Sequence, residues 1–72
     1  MNSPGDFLLY YDKIKNTIES SITYDHLKVS EKMLDNLISK CLISQSIPYS
    51  FYIIYIQNLK LLINLKLKEI ES

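Results

Sequence analysis

PYSFYIIYIQNLKLLINLKLKEIES, residues 48–72, is the stretch on which the fold turns. Residues 47–56 are rich in Ile, Tyr and Phe, and in isolation they would suit a strand. Two features favour a helix. At about 100° per residue, Gln57, Lys60, Asn64, Lys68 and Glu71 fall on one narrow polar strip that begins inside this run and continues to its end. No other segment offers a strand to pair with it, and an unpaired strand is not stable in water. Around the rest of the helix, Tyr52, Ile56, Leu59, Ile63 and Ile70 form one apolar seam interrupted by Lys66. Phe51, Ile54, Leu61 and Leu65 form a second seam beside it. A helix apolar on two sides needs more than one neighbour to bury it.

The upstream sequence supplies two neighbours. Ser3, Pro4 and Asp6 have the order of a helix start, with Ser3 as N-cap and Pro4 at the first helical position. Phe7, Tyr11, Ile14, Ile18 and Ile22 follow on one seam, with Leu8 flanking and Asp12, Lys13, Asn16 and Glu19 outside. Ser20, Ser21 and Thr23 compete for backbone hydrogen bonds and break this helix. Thr23 is a suitable cap for the next one, with Ile22 and Leu27 at the two positions of a hydrophobic staple. The second helix carries Leu27, Leu34, Leu37, Ile38 and Cys41 on one face. Lys28 and Lys32 stand within reach of Glu31 and Asp35 on the other. It ends in the segment Ser44, Gln45, Ser46, Ile47, because the residue before Pro48 is driven out of helical geometry. Pro48 itself suits the first turn of the third helix. The pattern predicts an all-α single domain over residues 1–72, a small three-helix bundle. Helices over about 4–20 and 24–43 pack on a long C-terminal helix over 48–71. Ile53, Tyr55 and Leu67 exceed what two short helices can cover, so a homodimer through the C-terminal helix is expected.

Composition narrows the function. A chain of 72 residues is marginal for a single core, and with one cysteine, Cys41, it has no intrachain disulfide to help. Eight lysines balance eight acids, and there is no arginine. Bidentate recognition of phosphate or guanine by a guanidinium is therefore excluded. The abundance of Ile, Leu, Lys, Asn, Ser and Tyr resembles what AT-rich genomes encode. The N-terminus lacks a basic segment followed by an apolar run, and Gln57, Asn58, Lys60, Asn64 and Lys66 interrupt the longest apolar stretch. A cytoplasmic protein with a reduced thiol and no membrane span is expected.

Reactive groups are few. His26 and Cys41 stand fifteen residues apart on one helix, about 22 Å along its axis, so they cannot touch within one chain. One histidine with one cysteine makes no zinc site, and the sole glycine, Gly5, makes no phosphate loop. No catalytic residue, metal or cofactor is expected. The tyrosines carry more information: Tyr49, Tyr52 and Tyr55 recur every three residues at the start of the third helix. Tyrosine supplies large amphipathic area at low entropic cost and is enriched in interface hot spots. These three, with Lys60 and Lys66, are the candidate partner-binding residues. Lys60, Lys66 and Lys68 also raise the alternative of a small nucleic-acid-binding regulator, against which stand Glu69, Glu71 and the zero net charge.

The string TYDHLKVSEKML, residues 23–34, within residues 18–34, resembles small helical-hairpin proteins of phages and mobile elements of AT-rich bacteria. That resemblance implies a non-enzymatic protein that acts by occupying a larger host or element-encoded protein, as anti-CRISPR inhibitors and antitoxins do. The expectation is an inhibitor or regulator of a larger host protein such as a nuclease, working by protein-protein contact. A structural subunit of a virion or larger complex is a further alternative.

Overall fold

The computed structural model describes residues 3–44 and 47–71, and the expected break after the second helix includes Gln45 and Ser46, which lie outside them. Three helices, α1 (Pro4–Glu19), α2 (Tyr24–Ile43) and α3 (Tyr49–Glu71), pack each against the other two, with no strand among the described residues. They run up, down and up in a rod of 40 × 17 × 16 Å. Among the described residues no helix is long and apolar enough to cross a membrane.

Each helix starts where its capping chemistry allows. The Asp6 N–H donates to Ser3 Oγ (3.2 Å), with Pro4 opening the helix behind this cap. The His26 N–H donates to Thr23 Oγ1 (3.3 Å) and begins α2. Serines close α1: Ser21 Oγ donates to the Thr17 carbonyl (2.7 Å) and the Ser20 N–H to the Asn16 carbonyl (3.0 Å). The third start differs from the expectation by one residue. Tyr49 is the first helical residue, and Pro48 precedes it as the capping position, its carbonyl accepting from the N–H groups of Phe51 (3.0 Å) and Tyr52 (3.4 Å). Proline has no side-chain acceptor to offer, so this start is held by packing. Ile47 and Tyr52, at the two positions of a hydrophobic staple around Pro48, are both buried.

The core is the seam of α3 closed by the two other faces. Tyr52, Ile56, Leu59 and Ile63 meet Phe7, Ile14 and Ile18 of α1 and Leu27, Leu34, Leu37 and Cys41 of α2. At one end the filling is aromatic, with the Phe7 ring 5.7 Å from Phe51 and 5.6 Å from Tyr55, both edge-on. Gln57, Lys60, Asn64, Lys68 and Glu71 all face solvent, as the polar strip requires.

Three expectations are corrected. Ile22 is 77% exposed, and Ser21 is buried beside it, so the α1 seam ends at Ile18 and the staple with Leu27 is open. Ser30 fills the gap between Leu27 and Leu34, its hydroxyl satisfied by the Leu27 carbonyl (2.6 Å). Neither Lys28 nor Lys32 forms an ion pair with Glu31 or Asp35 among the described residues, and Lys28 instead stands over the Tyr24 ring at 5.1 Å. Finally, Tyr55 and Leu67 pack against the core and Ile53 is half-buried, whereas Ile54, Leu61 and Leu65 of the second seam remain exposed. Both neighbours of α3 lie on the inner side of the helix, so this outer seam has no third helix to cover it.

Candidate functional site

The three tyrosines expected to act together are divided by the fold. Tyr52 is buried at 5% exposure, its ring 6.3 Å from Phe7. Tyr55 is half-buried in the aromatic end of the core, edge-on to Tyr11 at 5.1 Å. Tyr49 alone faces solvent, with its ring edge-on to Tyr52 at 5.5 Å, so that a core residue supports an exposed one. Leu42 and Ile43, the last two residues of α2, stand across the α2–α3 connection and are 71% and 81% exposed. Sequence reasoning missed this pair because a helix wheel does not weigh residues at a helix end, where the covering neighbour has already stopped. From Tyr49 to Leu59 α3 carries no charge, so the aromatic ledge continues into an uncharged flank.

The lysines do not assemble a stripe. Lys60 lines a shallow groove between α2 and α3 with Glu31, Leu34, Asp35, Ile63 and Asn64, so two carboxylates face the same space. Lys66 is spent within the chain, donating to the Glu19 carbonyl (3.0 Å) and standing 3.7 Å from Glu69. Lys68 shares the polar strip with Lys60, about two turns further along, and is 200° from Lys66.

Further polar contacts tie the helices together. Lys40 Nζ donates to the Tyr10 hydroxyl (2.9 Å) and sits 4.4 Å from the centre of that ring. This hydrogen bond and the lysine charge hold the Tyr10 phenol below its ordinary range. Asn58 Nδ2 donates to the Tyr11 hydroxyl, joining α3 to α1. Burial pushes the Cys41 thiol up, which makes it a poor nucleophile. No group of three or more His, Cys, Asp or Glu side chains capable of holding a metal occurs among the described residues. A groove of about 520 Å³ between α1 and α3 is open and lined by Ile18, Leu62 and Leu65 with Glu19, Lys66 and Glu69 at its rim.

Comparison with known protein families, with characterised proteins and with solved structures returns no match.

Proposed function

We propose that this chain is a non-enzymatic interaction protein of the cytoplasm that occupies the surface of a larger host or element-encoded protein and so inhibits or regulates it. The observation that carries the reading is the exposure of Leu42, Ile43 and Tyr49 around one connection, with Tyr49 backed by the buried ring of Tyr52. An exposed tyrosine backed by a core ring and two exposed aliphatic side chains at the end of the preceding helix, with the adjoining half of α3 free of charge, have the composition of an interface centre. The buried thiol and the open, shallow grooves suit contact better than chemistry. The mechanism is steric occupation, or capture of one conformational state of the target. An inhibitor of a nuclease, of the anti-CRISPR or antitoxin kind, is the sharper form of this proposal.

The test is affinity capture from cells of the source, comparing the tagged wild-type chain with a Leu42→Glu/Tyr49→Lys variant. Both side chains are exposed, so the variant keeps its helical spectrum and melt. The expected result is one larger protein recovered in stoichiometric amount by the wild type and at least tenfold less by the variant. Equal recovery by both would remove this surface from the mechanism. Recovery of nucleic acid, released steeply by salt, would replace the reading with that of a nucleic-acid-binding regulator.

A further inference from the structure

We infer that the outer seam of α3 is a self-association surface, on which a second copy of this chain packs its own α3 antiparallel to the first. The seam is separate from the Leu42, Ile43 and Tyr49 surface, and the inference does not depend on the function proposed above. Ile54, Asn58, Leu61, Leu65 and Lys68 recur at steps of four, three, four and three, the spacing that keeps one stripe of a helix facing a partner helix. Within this chain the stripe is uncovered: Ile54, Leu61 and Leu65 are 67%, 55% and 51% exposed.

The charge pattern selects both the occupant and its direction. The stretch from Tyr49 to Leu59 is uncharged, while the rest of α3 carries Lys60, Lys66, Lys68, Glu69 and Glu71. A parallel pair would bring Lys68, the last residue of the stripe, beside its own copy, a like-charge contact along the seam. An antiparallel pair lays the charged half of each helix against the uncharged half of the other. In that register Ile54 stands opposite Leu65 of the copy, Asn58 opposite Leu61, and Gln57 near Asn64, where two amides can bond across the interface. The Asn58 amide nitrogen donates to Tyr11 within its own chain, so it is not left unsatisfied beside Leu61 of the copy.

The helix ends point to the same arrangement. α1 and α2 each have an acid in the first turn, Asp6 and Asp25, and a side-chain cap, whereas α3 has no acid there and starts behind Pro48. The antiparallel register brings Glu69 and Glu71 of one copy to the positive N-terminal end of the other α3. From residue 54 to 68 the seam is about 21 Å long. That is short for the roughly 800 Å² per partner of a standard interface, so the dimer is a weak, concentration-dependent one.

Sedimentation equilibrium from about 10 µM to 1 mM tests this, the range bracketing a dissociation constant of about 100 µM. The wild type is expected to pass from one chain to two, and Leu61→Glu to remain a single chain throughout with an unchanged helical spectrum. A single-chain mass for the wild type at every concentration would overturn the inference, as would a Leu61→Glu variant that dimerises as well as the wild type. Direction is read by oxidation: Ile54→Cys mixed with Leu65→Cys should form the mixed disulfide, and Lys68→Cys alone should form none. Efficient Lys68→Cys crosslinking would overturn the antiparallel arrangement.

Discussion

Cys41 illustrates how a reactive side chain becomes a structural one. It lies at 2% exposure on the inner face of α2, where a thiolate would lose its hydration, so the native state keeps the thiol protonated to higher pH than the unfolded chain does. The consequence has a sign. With its folded-state pKa raised, the contribution of this group is fully present below the ordinary thiol value of about 8.5 and is lost as pH rises through the folded-state value. The stability of the wild type should therefore fall more steeply between about pH 8 and pH 10 than that of Cys41→Ala, even though the variant starts lower from its small cavity. Urea unfolding across that range checks it, and parallel curves for the two proteins would refute the linkage. The same burial predicts that a thiol reagent labels Cys41 only at the rate of opening. Ser30 and Ser21 are the polar counterpart, buried without penalty because the Ser30 hydroxyl donates to a carbonyl of α2 and that of Ser21 to a carbonyl in the last turn of α1.

Among the elements, α2 depends on its cap more than α3 does. The Thr23 hydroxyl satisfies the His26 N–H at the start of α2, while Ile22 stays exposed and gives no staple. Thr23→Ala should cost about 1 kcal/mol. In a domain of this size that lowers the melting temperature by roughly 4–8 °C, measured by circular dichroism. No change would mean that packing alone fixes this helix end. Such caps were legible in the chain because they are local: Ser3 with Pro4, and Thr23 three residues before His26, announce themselves at fixed spacing. The buried seam Tyr52, Ile56, Leu59, Ile63 was legible for the same reason, since helical phase alone defines it. What phase cannot specify is how many neighbours arrive. Ile54, Leu61 and Leu65 look as apolar as the buried seam, and their exposure is a property of a bundle with only two other helices. The candidate site was half legible on the same terms. Tyr49 emerged from its spacing, but Tyr52 went to the core, Lys66 to the Glu19 carbonyl, and Leu42 with Ile43 became visible only when α2 was seen to end beside α3.

At the scale of the molecule, no pair of helices owns the core. α1 gives it Phe7, Ile14 and Ile18, α2 gives Leu27, Leu34, Leu37 and Cys41, and α3 gives Tyr52, Ile56, Leu59 and Ile63, so removing any helix uncovers side chains of both others. The 16 residues of α1 and 20 of α2 are close to the length at which isolated helices are marginal in water, and their stability therefore comes from the shared interior. A peptide of residues 1–44 keeps one of three interfaces and exposes the apolar faces that α3 covered. It should show little helix and no cooperative melt, in contrast to the sigmoidal transition expected of the full chain. Adding a peptide of residues 47–72 should restore helical signal in both if the three-way core is what orders them. A 1–44 peptide that is already helical and melts cooperatively would place the stability of the fold in the α1–α2 hairpin, and α3 would then be an arm docked on a finished scaffold.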